Sequence, residues 1–261
     1  VNQQSAIHEQ AIIEPGAVIG KDVTIGPWTY ISKDVVIGDN CNISSHVVIN
    51  GPTRIGENNR IFQFASIGED CQDLKYDCEP TELVIGDNNV FRECCTIHRG
   101  TIQDNSVTSI GSNNLFMAYT HVAHDCVVGS HCIMANNASI AGHVHVGDHA
   151  ILGGMSGVHQ FCHIGAHSFV AANALVLKDV PAYVMASGQP AKPFGLNAEG
   201  LKRRGFEKNA ILNIKRAYKE VYRKGLAVEE ALVEVAKLVE HSPEVKAFAD
   251  SVKTSSRGII R

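Results

Sequence analysis

The chain is poor in charge, in tryptophan and in the spacings that normally hold metals. Charged residues make up 19% against 44% hydrophobic, a balance that excludes gross disorder and leaves ample material for burial. The net charge of −4 carries no basic excess, so nucleic acid is not an expected partner. No stretch approaches the roughly 20 apolar residues of a membrane span. The N-terminus shows no basic segment followed by an apolar run. A soluble, cytoplasmic protein without a membrane span is therefore expected. Trp28 stands alone, whereas glycine is plentiful at 23 residues, which suits many tight corners and thin layers. Eight cysteines contain no CxxC pair, and Cys94 and Cys95 are adjacent. Six of them (Cys41, Cys71, Cys95, Cys126, Cys132 and Cys162) fall on the small inward position of a repeat and read as buried thiols in a reducing compartment.

What the chain does have is a six-residue period. Between Phe116 and Phe169 an apolar residue recurs at Phe116, Val122, Val128, Met134, Ile140, Val146, Leu152, Val158 and Ile164. Four places after each comes a smaller one, including Thr120, Cys126, Cys132, Ala138 and Ala150. Earlier, every sixth residue from Ile7 to Ile67 is isoleucine, often followed by glycine, as at Ile37-Gly38 and Ile55-Gly56. This period fits neither a helix nor a half-buried strand. It describes a solenoid of stacked short parallel strands, with isoleucine inside and glycine or a small polar residue permitting each turn. Two excursions break it, Glu69 to Glu82 and about Ile102 to Ser109, and such loops tend to carry function.

The hexads stop near Val180-Pro181, and a linker rich in proline and glycine runs to Gly195. Helical stripes follow: Ala210, Ile211, Ile214, Ala217, Tyr218, Val221 and Tyr222, then Val228, Ala231, Leu232, Val235, Leu238 and Val239. Pro243 opens a further short helix through Val245 and Phe248. The expected division is a parallel β-helix domain over 1–190 and an α-helical domain over 191–261, the helices packing on the solenoid's end or flank.

If three hexads close one triangular turn, residues 18 apart stack, at the roughly 4.7–4.9 Å spacing of neighbouring strands. His124 then lies on Gly142 and Gly142 on Gln160; Asp125 lies on His143, and Ala141 on His159. His124, His143 and His159 thus share one edge, with His121 close by. For His131, His145, His149, His163 and His167 the plainer reading is that they cap backbone groups at corners. A histidine-lined edge suits either a zinc site or general-base catalysis. The HxxxxH spacing of the zinc-binding solenoids of γ-class carbonic anhydrases is missing, so base catalysis is preferred and no metal is expected. His124 is the favoured base, with Asp125 beside it and the Gly142 N–H free of a side chain for a developing oxyanion.

The stretches QDLKY (Gln72–Tyr76), TIHRGT (Thr96–Thr101), AHDC (Ala123–Cys126), GGM (Gly153–Met155), VHQF (Val158–Phe161) and EGLKRRGF (Glu199–Phe206), in this order, resemble the UDP-N-acetylglucosamine O-acyltransferase family over essentially the whole chain. The resemblance implies a left-handed parallel β-helix and a homotrimer with its sites between subunits. It further implies transfer of an (R)-3-hydroxyacyl group from acyl carrier protein to the 3-hydroxyl of UDP-N-acetylglucosamine, the first step of lipid A biosynthesis, without cofactor. On matching positions it makes His124 the general base, Asp125 its orienting carboxylate and Gly142 the oxyanion donor. Asp73, Lys75, His121 and His143 would position the sugar and acyl groups. His159, Gln160, Asn197, Glu199, Arg203 and Arg204 would contact the nucleotide end. Guanidinium forks such as Arg203 and Arg204 match phosphate oxygens.

In this family a glycine at the position of Ala172 admits a long acyl tail; the extra methyl, with Phe169 nearby, implies a medium chain. The N-acyltransferase of the same pathway carries an additional N-terminal uridine-binding domain, for which hexads starting at Ile7 leave no room. The remaining rival is a non-catalytic solenoid acting as a scaffold or carrier-protein binding module, which would tolerate loss of His124.

Overall fold

A computed structural model describes residues 6–261 of the chain, so the first five residues of the expected solenoid domain lie outside the described residues. As far as Val176, strands of two to four residues alternate with corners and assemble into three parallel sheets, the faces of a triangular prism. This is a left-handed parallel β-helix. Rungs stack in unbroken register: His121 pairs with Ser139, Ser139 with Gly157 and Gly157 with Leu175, each 18 residues on. At the two excursions the step lengthens, Ile61 pairing with Phe91 and Thr96 with His121.

In the two-residue strands from Thr24–Ile25 onward one residue points inward. Ile25, Ile43, Ile61, Phe91, Phe116, Met134, Leu152 and Val170 form one such file and are all essentially inaccessible. Phe91 and Phe116 stack with ring centroids 4.8 Å apart. Burial of each such side chain contributes roughly 1.5–3 kcal/mol, so the file as a whole holds the prism together. No single rung can bury its own apolar face, which is why the repeat must be long.

The glycine after each isoleucine has a different purpose from the one expected. The corner residue with left-handed backbone comes two places later and is rarely glycine: Asn40 has φ 58°, Asn58 58° and His143 60°. Gly38 instead permits close approach of rungs, since a Cβ there would come within 2.7 Å of the Gly56 carbonyl.

The histidine columns also differ from expectation. His131, His149 and His167 stack face to face with centroids 4.7 and 4.6 Å apart, and His145 stacks on His163 at 4.6 Å. Among the described residues none of these five rings caps a backbone group. Burial, with help from His149 and Arg204, pushes His167 down to about 4, so its ring is neutral and can stack without charge repulsion.

Cys71 is a correction as well. It is buried, yet the rung ends at Glu69 after a bulge at Gly68, so Cys71 sits in the excursion and not in the prism's inward file. That loop is tied down by the buried Arg99, whose guanidinium donates to Gly68 O, Asp70 and the Tyr76 hydroxyl.

The segment expected as a linker forms a hairpin. Strand Val184–Gly188 extends one face by pairing with Phe169–Val170, then turns at Gln189-Pro190 into the antiparallel strand Ala191–Leu196. Helices α1 (Ala198–Arg203), α2 (Lys208–Arg223), α3 (Val228–Val239) and α4 (Val245–Lys253) follow. Proline and glycine there build the turn and not a flexible tether. The helices close the end of the prism: the Tyr183 hydroxyl donates to Glu244 O at 2.9 Å and Ser255 to buried Asp179 at 2.6 Å.

Candidate active site

His124 occupies a corner between two faces of the prism, two places beyond buried Val122. Its backbone carbonyl accepts from His143 N at 3.0 Å, which locks consecutive corners together. The next residue, Asp125, takes the left-handed position with φ 56° and is 2% exposed, so its carboxylate turns in beneath the imidazole. His124 Nδ1 lies 2.9 Å from Asp125 Oδ2. Thr101 donates to the same carboxylate from its backbone N at 3.0 Å and from its hydroxyl at 2.6 Å. Burial alone would raise the Asp125 carboxyl. The hydrogen bonds from His124 and Thr101, aided by His143, outweigh it and hold the group below its usual range. An ionised carboxylate at Nδ1 fixes the tautomer, leaving Nε2 as the proton acceptor.

Gly142 stands on the next rung, directly over that ring. A Cβ there would come within 2.5 Å of His124 Cε1 and 2.6 Å of Nε2, so only glycine leaves the imidazole in place. Among the described residues no backbone carbonyl accepts the Gly142 N–H. A basic nitrogen and an unengaged N–H thus border one space, as proton abstraction with oxyanion stabilisation requires.

The space belongs to a cavity of about 520 Å³ running along the prism edge. Of the residues singled out from sequence, Asp73, His121, His124, Gly142, His159 and Gln160 line it. Asp125 and His143 stand behind it. His143 Nδ1 bonds Asp104 at 2.8 Å, its ring stacks on Phe161 at 4.4 Å, and it meets His124 edge-on at 5.0 Å. His121 pairs through Nδ1 with the Thr96 hydroxyl at 2.7 Å, and burial, followed by His124, lowers its basicity. His159 Nδ1 lies 3.1 Å from Gln160 O.

The remaining residues lie off this cavity. Lys75 is exposed on the excursion, its N donating to Asp73 at 3.0 Å. Asn197 caps α1, accepting from Gly200 N and donating to His167 O at 2.9 Å. Glu199 and Arg203 are exposed on α1, and Arg204 donates to His149 O at 3.0 Å. Phe169 is half-buried on an outer face, and Ala172 is exposed at the corner after it.

His124, Asp125 and His143 bring potential ligand atoms within 4.8 Å of one another, a set able to bind a metal. The Asp125 carboxylate is already committed to Thr101 and His124, and His143 Nδ1 to Asp104. The geometry therefore favours a hydrogen-bonded acid–base pair.

The chain is 57% identical over 257 residues, 98% of its length and all of the relative's, to the acyl-[acyl-carrier-protein]–UDP-N-acetylglucosamine O-acyltransferase of Stutzerimonas stutzeri. The chain belongs to the UDP-N-acetylglucosamine O-acyltransferase family. Bacterial transferase hexapeptide repeats match residues 16–51 and 108–142, and the second domain of UDP N-acetylglucosamine O-acyltransferase matches 179–260. The structure superposes on LpxA of Acinetobacter baumannii with a TM-score of 0.96 at 54% identity, covering 98% of this chain and 99% of that one. The UDP-N-acetylglucosamine O-acyltransferase of Moraxella catarrhalis gives 0.96 at 52% identity, with the same coverage.

Within this candidate site the sequence reading missed Thr101, Asp104 and His98. Thr101 and Asp104 fall at the second excursion, where 18-residue stacking cannot be applied. His98 lines the cavity yet is only 4% exposed. Its one signal, shared with Thr101, was membership of the TIHRGT stretch.

Proposed function

We propose that this protein transfers an (R)-3-hydroxyacyl group from acyl carrier protein to the 3-hydroxyl of UDP-N-acetylglucosamine, the first step of lipid A biosynthesis, with His124 as general base. The observation that carries the reading is the His124 ring held by Asp125 at Nδ1 and overlain by Gly142, whose missing side chain leaves room for the ring. His124 Nε2 takes the proton of the sugar hydroxyl as its oxygen attacks the thioester carbonyl carbon. The Gly142 N–H stabilises the resulting oxyanion. Collapse breaks the carbon–sulfur bond, and the proton on His124 passes to the departing phosphopantetheine thiolate. Ester and free carrier thiol result, with atoms and charge balanced and no redox step.

Asp73, Lys75, His121 and His143 serve the sugar and acyl groups in this reading. His159 and Gln160 serve the nucleotide end, together with Asn197, Glu199, Arg203 and Arg204. The latter four lie away from the cavity, Glu199 and Arg203 exposed and Asn197 buried as the cap of α1, which fits contribution from a neighbouring subunit of a homotrimer. An outward apolar file on successive rungs, Leu115, Ile133, Ile151 and Phe169, offers such a contact face. We place the enzyme in the cytoplasm, in keeping with eight free cysteines and with the lack of any helix long and apolar enough to cross a membrane among the described residues. The division expected from sequence, a β-helix over 1–190 and a helical part over 191–261, belongs to the same reading, although the strand Ala191–Leu196 completes the hairpin before the helices begin at Ala198.

The test is an acyl-transfer assay with UDP-N-acetylglucosamine and 3-hydroxyacyl carrier proteins of graded length. His124→Ala should lose roughly 10²–10⁴-fold in kcat. A mutant that retains full activity would remove His124 as the base, and a scaffold would show no transfer at all.

A further inference from the structure

His98 ends the strand Thr96–His98, one rung below the strand that leads to the base. It is 4% exposed, and it lines the cavity together with Asp73 and His121. Its ring meets His121 edge-on with centroids 5.0 Å apart. His121 is held by Thr96, His124 by Asp125 and His143 by Asp104. The His98 ring has no hydrogen-bond partner among the described residues. Its nitrogens are nonetheless not among the sealed, partnerless polar atoms of the protein. They open to the cavity.

A polar group so nearly buried is costly to leave unpaired. Its charge state narrows the partner. Burial, followed by the influence of His121, lowers His98 to about 4, so the imidazole is neutral across the physiological range. A neutral imidazole offers one donor and one acceptor, which suits a hydroxyl better than a phosphate or carboxylate. Its place along the edge decides which substrate supplies that hydroxyl. Gly142 lies on the rung above His124 and marks the side of the thioester oxygen. His98 lies on the rung below, lining the cavity with Asp73 and His121, on the side that the acyl-transfer reading gives to the acceptor sugar.

We propose that His98 binds the acceptor sugar by hydrogen-bonding one of its uncharged hydroxyls, completing the polar floor of the site beside Asp73 and His121. This inference rests on the acyl-transfer reading and adds a sugar contact to it.

Steady-state kinetics on the full-length enzyme provide the test, with UDP-N-acetylglucosamine and the 3-hydroxyacyl carrier protein varied in turn. Wild-type turnover checks the acyl-transfer reading before His98 is touched, so the two can fail separately. With turnover established, His98→Leu should raise KM for UDP-N-acetylglucosamine about 10-fold, the loss of roughly one hydrogen bond, leaving KM for the carrier protein unchanged. His98→Gln, which keeps a donor and an acceptor, should recover most of that loss. The ratio of mutant to wild-type KM should stay flat from about pH 6 to 9, because the wild-type ring carries no charge there. An unchanged sugar KM, or a rise confined to the carrier protein, overturns the proposal. If neither variant folds, the His98 ring proton resonance of the wild-type enzyme must shift on saturation with UDP-N-acetylglucosamine; no shift overturns the proposal equally.

Discussion

A methyl group added to Gly142 would come within 2.6 Å of His124 Nε2, while the opposite ring nitrogen is fixed 2.9 Å from Asp125. The imidazole therefore cannot yield to a side chain at 142 without leaving its carboxylate. Gly142→Ala should reduce kcat roughly 10²–10³-fold, comparable to loss of an oxyanion donor. Thermal stability should change little, because the clash falls on a partly exposed ring and not on the prism core. Initial rates and a melting curve on the same preparation check both halves; a fully active alanine variant would contradict the geometry.

Thr101 is the residue on which Asp125 depends most. Its hydroxyl donates at 2.6 Å to a carboxylate that is almost inaccessible. Thr101→Val keeps the shape and the backbone donor but removes this bond to a charged group, worth about 1.5–3 kcal/mol. The Asp125 carboxyl should then rise toward its ordinary value, weakening its hold on the His124 tautomer. A loss of roughly 10-fold or more in kcat is expected, with the acid limb of the pH–rate profile moved to higher pH. An unmoved profile would show that Thr101 only fills space.

The regular part of this site was legible because the fold is periodic. Once three hexads were assigned to a turn, His124, Gly142 and Gln160 had to stack, and all three line the cavity. The same arithmetic fails wherever chain is inserted. Asp125 meets Thr101 across 24 residues and His143 meets Asp104 across 39, separations that only the path of the loop determines. Cys71 shows the converse error: it obeys the hexad count but follows the Gly68 bulge, where the rung has already ended. The hairpin after Pro181 was hidden for another reason. Its glycine and proline mark a turn and a flexible linker alike, and only pairing with Phe169–Val170 distinguishes them.

Ala172 carries the acyl-length reading. It is exposed at the corner following Phe169, and its N lies 2.5 Å from the position a Cβ on Gly153 would take. The backbone is thus tightly packed there, and one methyl more or less alters the surface that a neighbouring subunit would present to an acyl tail. Ala172→Gly should shift preference toward longer 3-hydroxyacyl chains. Relative kcat/KM across carrier proteins of graded chain length is the measurement, and an unchanged order would release Ala172 from this role.

His98, buried, and His167, half-buried, should make the fold sensitive to mild acid. His98 and His167 are each lowered from an ordinary value of 6.5 to about 4, burial being the largest cause in both. Between those values the unfolded chain binds protons that the folded chain refuses, so stability falls as pH falls. Their contribution is complete above about pH 6.5, declines down to about pH 4 and levels off below. Asp125 acts in a lower window, since its carboxyl is held below an ordinary value of 3.8 and its contribution is lost only on further acidification. The melting temperature should therefore drop by about 5 °C or more between pH 7 and pH 5. His167 lies at the top of the stacked column, against His149, with its Nδ1 sealed and unpaired. His167→Gln should flatten the slope, because glutamine packs beside His149 without taking up a proton. Scanning calorimetry of both proteins from pH 7.5 to pH 4.5 checks this, and parallel curves would mean that His167 does not contribute to the transition.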